Sequence, residues 1–142
     1  MATANHSRSF LARPFGKRHD GDSVDPQYPK GPLGLSILSS PLNEAVADLI
    51  FVHGLGGGSR STWTKYSDPP VFWPLEWLPA DPQFHDVRIH SFGYNSNLWK
   101  ESILNIHDFA RALLGSVQDC PTIPRDSTVG IVLSPPSTMQ VV

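Results

Sequence analysis

The sequence is short of most features that announce a function. It has one cysteine, Cys120, in 142 residues. An internal disulfide is therefore excluded, and a reducing compartment fits best. No stretch approaches the roughly 18 apolar residues of a membrane span, and no apolar run near the N-terminus reads as a secretory signal. Charge is sparse: 17% of residues are charged and the formal net charge is -2. No helix carries a basic patch, so nucleic-acid binding has no electrostatic support. No His-x-x-x-His pair or Cys/His cluster has metal-ligand spacing, and no cofactor is expected. Length is also short, since single α/β domains often run to roughly 200–250 residues. Proline is plentiful, at 14 residues, and much of the chain is expected to be loop or tail.

Residues 1–32 read as a disordered basic and Pro-rich tail. Pro26, Pro29 and Pro32 exclude helix there. Arg8, Arg13, Lys17 and Arg18, with Ser7 and Ser9, loosely suit a mitochondrial transit peptide. Pro14 and Gly16 interrupt any helix in that stretch and favour a plain tail. A short strand is expected around Leu35, Ile37 and Leu38. The run from Asp48 through Leu49, Ile50, Phe51 and Val52 to His53 is continuously apolar at its centre. It reads as a strand buried on both faces, as in a parallel sheet. An aromatic, Pro-studded segment with Trp63, Phe72, Trp73 and Trp77 follows, expected to be one short helix plus packed loop. Val87, Ile89 and Ser91 alternate with Arg88, His90 and Phe92 in the next strand. Ile103, Ile106, Ala110, Leu113, Leu114 and Val117 recur at helical spacing over 102–118. Residues 129–133 supply one more strand. The expected fold class is α/β, an incomplete parallel sheet with flanking helices.

The most informative stretch is His53-Gly54-Leu55-Gly56-Gly57. A buried strand that ends in His-Gly and opens into glycines leaves backbone N–H groups bare at its carboxyl end. In acyl transfer, such groups bind the developing oxyanion, and glycine lets the backbone approach a substrate. The bland alternative is a tight turn. A second alternative is nucleotide binding, but the G-x-G-x-x-G pattern that starts at Gly54 ends on Ser59. No Gly-Lys pair follows, so the P-loop pattern fails too.

Taken together, Leu49 to Gly57, Thr62-Trp63, Trp77-Leu78-Pro79, Arg88-Ile89, Phe92-Gly93-Tyr94 and Ile106 to Ala110 resemble a known family. It is the serine-esterase or lipase-like α/β-hydrolase domain related to GPI-inositol deacylases and to serine-active-site-containing lipase-like proteins. In fungi it often precedes NACHT, ankyrin or tetratricopeptide regions. The resemblance spans roughly residues 33–120. It implies an ester or lipid substrate for an intact relative. It makes His53, Gly54, Leu55, Gly56 and Gly57 an oxyanion half-site, with the Leu55 and Gly56 amides as donors. It also implies an intracellular place at the mitochondrion or endoplasmic reticulum membrane, with the cytoplasm as alternative.

Such a domain continues into a Gly-His-Ser-x-Gly-Gly elbow, whose strained turn needs glycine on both sides of the serine. No serine here fits. Ser59 lacks the second glycine, Ser91 has Ile89 where glycine is needed, and Ser134 is followed by two prolines. The triad order of serine, acid, histidine also places His53, His90 and His107 too early to be the base. His53 is expected to shape the loop, and His107 and Asp108 to lie on a solvated face. No catalytic residue is assigned, and the expectation is a domain front half over 33–125 that is inactive alone. Residues 126–142 are expected to be a non-family tail, apolar enough to fill the missing strand's place. An incomplete sheet leaves an exposed edge that invites a protein partner. Trp63, Trp73, Trp77 and Trp99 are a candidate interaction surface, with core packing the more economical reading.

Overall fold

The computed structural model describes residues 30–96 and 106–135. The expected tail up to residue 29, Trp99, Ile103 and residues 136–142 lie outside the described residues. Among the described residues ten segments of regular backbone precede the last strand. Strand β1 (Gly34–Ser39) leads to β2 (Ala47–Val52), then a 3-10 turn over Ser61–Trp63. The short strands β3 (Thr64–Lys65) and β4 (Val71–Phe72) form a two-stranded ribbon. Helix α1 (Trp73–Glu76) and two further 3-10 turns, Leu78–Ala80 and Pro82–Phe84, complete the aromatic segment. Then come β5 (Val87–Gly93), α2 (Ile106–Gln118) and β6 (Thr128–Leu133).

The main sheet has the order β1-β5-β2-β6. Strands β5, β2 and β6 are parallel, as expected. β1 is antiparallel to β5, so the sheet is mixed rather than parallel. Connection length explains the difference. A parallel return needs a crossover of a dozen or more residues, and only residues 40–46 separate β1 from β2. The long links, carrying the aromatic segment and α2, serve the parallel strands.

β2 is one of two inner strands and is covered on both faces. On one face Phe51 packs with Trp63, Phe72 and Ile89. The Phe51 ring meets Trp63 at 5.0 Å and Trp73 at 5.2 Å, both edge to face. Such pairs each add about 0.5–1.5 kcal/mol beyond simple burial. On the other face Ile50, Val52 and Phe92 receive Leu113 and Val117 of α2. The helix thus seats through an i, i+4 pair. Leu114 and Ala110, expected to face inward, are exposed. They lie on a flank of α2 that the sheet does not reach.

β6 belongs to the sheet and is paired in register with β2 from Ala47↔Thr128 to Val52↔Leu133. The apolar tail therefore fills a strand position beside β2. Among the described residues the edges of the sheet are β1 and β6, and β2 is not an edge.

Candidate functional site

The glycine loop begins where β2 ends. His53 is 2% exposed and sits between that strand and the end of β5. Its ring stacks on Tyr94 at 4.2 Å with an interplanar angle of 10°. The Tyr94 amide donates to Nε2 at 3.2 Å. Nε2 is therefore an acceptor, which leaves the proton on Nδ1, and Nδ1–H donates to the Gly54 carbonyl at 2.9 Å. The Tyr94 hydroxyl closes the arrangement by donating to the His53 carbonyl at 2.9 Å. Burial holds the His53 pKa below its usual value; the Gly54 carbonyl opposes this and the charge of Lys30 adds to it. The ring is neutral and both nitrogens are occupied. His53 shapes the loop, and it has no free nitrogen with which to take a proton from a nucleophile.

The Gly57 amide donates to the Gly54 carbonyl at 3.1 Å, which makes residues 54–57 a tight turn. Gly56 has φ +77°, a conformation that most side chains resist. Leu55 and Gly56 form the exposed tip. Among the described residues, the fold gives their two amides no acceptor. The next amides are spent internally: the Gly58 amide donates to Thr62 Oγ1 at 3.0 Å.

Gly57 and Gly58 are buried, and their small size is a packing requirement. A side chain on Gly57 would strike Thr62 Oγ1, and one on Gly58 would strike the Lys30 backbone. Three serines then pin the loop. Ser59 Oγ donates to the Pro32 carbonyl at 2.7 Å, Ser91 Oγ to the Ser59 carbonyl at 2.9 Å, and Ser96 Oγ to the Gly57 carbonyl at 2.6 Å. The cavity among His53, Gly57, Gly58 and Tyr94 is about 120 Å³, below the roughly 300 Å³ at which small-molecule pockets begin. The open tip, not this cavity, is the accessible part of the site.

The carboxyl end of β6 reaches the same place. The Ser134 amide donates to the Val52 carbonyl at 3.1 Å. The Pro135 carbonyl occupies the space that a side chain on Gly54 would need. Ser134 is thus brought to the glycine loop, at the carboxyl ends of parallel strands where open α/β sheets hold ligands. Among the described residues its hydroxyl donates to the Pro135 carbonyl alone, at 3.2 Å. Among the described residues no serine hydroxyl is hydrogen-bonded to a histidine. His107 and Asp108 are exposed on the first turn of α2.

A second polar group was not anticipated. Asp48 is buried on β2, and its Oδ1 accepts from Arg88 at 3.1 Å and from His90 Nε2 at 2.8 Å. Its Oδ2 accepts from Ser127 Oγ at 2.6 Å. The set contains serine, histidine and acid, but the wiring is not that of a triad. Serine and histidine both bind the carboxylate, whereas a nucleophile must be bound to the base. His90 Nδ1 is buried without a partner. The cluster also lies about 13 Å down β2 from Val52, away from the glycine loop. It neutralises a carboxylate between three strands. The sequence signal was an acid inside an apolar strand, and its partners come from 40, 42 and 79 residues away.

Among the described residues no group of three His, Cys, Asp or Glu side chains converges. No helix among them is long and apolar enough to cross a membrane. No family model matches the chain, and neither a curated protein nor a solved structure matches it.

Proposed function

We propose that the loop from His53 to Gly57 is the oxyanion-binding half of an ester-hydrolase site, in a domain of α/β-hydrolase type. The observation that carries this reading is the exposed Leu55–Gly56 tip, whose amides have no acceptor among the described residues. Rigidity supports it. The turn is fixed from behind by His53, Thr62 and three serines, so the donors are held in place before any ligand arrives. Position supports it as well, because the tip stands at the carboxyl ends of β2 and β6. The substrate of an intact site of this type is a carboxylic or lipid ester.

The described residues supply donors but no attacking group, so they do not cleave esters. Ser91 is spent on the Ser59 carbonyl and Ser134 is unpaired with any base. The nucleotide reading has less behind it. A phosphate cradle needs successive free amides followed by a helix. Here the Gly57 and Gly58 amides are taken, and only a three-residue 3-10 turn follows.

Two measurements test the proposal. Titration of the isotope-labelled chain with phenylphosphonate, an anionic mimic of the tetrahedral intermediate, should shift the Leu55 and Gly56 amide resonances. Shifts centred on Gly57 to Ser59, or none in the loop, contradict it. Hydrolysis of a short-chain nitrophenyl ester should run at the buffer rate. Turnover abolished by Ser91→Ala or Ser134→Ala contradicts the absence of an attacking group.

A further inference from the structure

Tyr94 is tied to His53 at both ends. Its amide donates to His53 Nε2 at 3.2 Å, and its hydroxyl donates to the His53 carbonyl at 2.9 Å. Between those two bonds the rings stack at 4.2 Å. The Tyr94 ring also meets Phe109 of α2 at 4.3 Å. Two residues further on, Ser96 Oγ donates to the Gly57 carbonyl at 2.6 Å. Residues 94–96 thus join the His53 ring to the far end of the glycine turn, with α2 beside them.

This arrangement works for one protonation state only. Nδ1–H is committed to the Gly54 carbonyl, so a second proton must sit on Nε2. There it points at the Tyr94 N–H, donor against donor. The stack fixes the plane of the ring, and the residue is 2% exposed, so water does not reach the new N–H. A buried cation with an unpaired donor is costly. The surroundings do not offset it. Lys30, on the segment before β1, is the charge that acts on the ring, and it repels a second cation. Burial pushes the Tyr94 phenol above its usual value, so it stays a neutral donor. α2 brings Phe109 to Tyr94, while its His107, Asp108 and Arg111 are exposed. Residues 54–59 and the end of β6 at Ser134 and Pro135 carry no titratable side chain, and Arg60 lies over the Phe72 ring.

We infer that His53 is an acid-operated latch: uptake of a proton at Nε2 swings the ring out, releases residues 94–96 and unties the turn at residues 54–57, while the sheet stays folded. The order of events follows from the bonds. The Tyr94 amide loses its acceptor, Tyr94 leaves the stack, and Ser96 is drawn off the Gly57 carbonyl. The turn then keeps only its own bond from the Gly57 amide to the Gly54 carbonyl. The ladders that join β5, β2 and β6 take no part in this chain of contacts. The latch sets the shape of the loop and does not depend on what the Leu55–Gly56 tip binds.

Amide hydrogen exchange on the full isotope-labelled chain tests it, from about pH 7.5 to about pH 4.5 and corrected for the intrinsic pH dependence of exchange. The released ring titrates near the ordinary histidine value of about 6.5, and the latched ring below it. Between the two, opening at the Tyr94 amide should grow about tenfold for each pH unit removed, then level off. The Ile50 and Phe51 amides, inside the ladders, should keep their protection over the same range. His53→Gln, whose Oε1 accepts from Tyr94 at any pH, should show no such rise. His53→Phe, which offers no acceptor, should expose the Tyr94 amide at every pH. Three results overturn the inference: constant protection at Tyr94 while the His53 ring resonances titrate, the parent's pH dependence retained in either variant, or simultaneous loss at Tyr94 and Ile50, which is unfolding of the whole sheet.

Discussion

The two faces of the sheet are finished to different degrees. On one, the segment between β2 and β5 folds its own aromatic lid, and Phe51, Trp63, Phe72 and Ile89 are all 7% exposed or less. On the other, α2 reaches β1, β5 and β2 but stops short of β6. That face holds a buried carboxylate cluster at the amino end of β2 and an uncovered apolar row along β6. The difference teaches where stability resides. The lid face is closed by residues near in sequence and needs nothing else. The helix face depends on long-range polar pairing and leaves the apolar side chains of β6 exposed.

Matched substitutions on β2 and β6 sharpen the contrast. Phe51→Ala on the closed face should lower the unfolding free energy by about 3–5 kcal/mol, read by urea denaturation. Asp48→Asn should cost about 1.5–3 kcal/mol, because a charged acceptor for three donors is weakened. His53→Phe keeps the stack on Tyr94 and leaves the Gly54 carbonyl its Gly57 amide, but it strands the Tyr94 amide. A loss of about 1–2 kcal/mol is expected. Leu133→Ala on the open face should change monomer stability by less than about 0.5 kcal/mol. Equal losses for Phe51→Ala and Leu133→Ala would erase the distinction between the faces.

The His53 variant also carries a pH signature. The folded pKa lies below the usual histidine value of about 6.5, chiefly through burial. The unfolded chain then binds the proton first on acidification. The stabilisation from neutral His53 is complete above pH 6.5. It is lost as pH falls through 6.5 towards the lower folded value. His53→Phe should remove that part of the acid sensitivity, seen by comparing denaturant midpoints at about pH 5 and about pH 7.5. An unchanged pH slope contradicts the burial argument.

Apolar patterning made the strands of the main sheet and α2 legible, and the run of glycines marked the loop after β2. An apolar run from Leu49 to Val52 can be buried on both faces only in a sheet covered on both sides. The ribbon of β3 and β4 was not legible, since two residues per strand leave no period to read. The antiparallel direction of β1 was hidden as well, although the short link to β2 contained the reason. Leu114 and Ala110 misled because helical spacing says which residues share a stripe, not how far the sheet extends beneath it. The loop was read for its amides at Leu55 and Gly56. Sequence could not say that Gly57 and Gly58 answer to Thr62 and Lys30, because that demand arises only when distant segments meet. Asp48, an acid in an apolar strand, was a signal left unread, and Arg88, His90 and Ser127 reach it only through the register.

The central proposal is that the described residues present oxyanion donors without an activated serine. Incubation of the pure protein with a fluorophosphonate probe, followed by intact-mass measurement, addresses it directly. The account predicts an unmodified chain after prolonged exposure. Stoichiometric modification of one serine would contradict it.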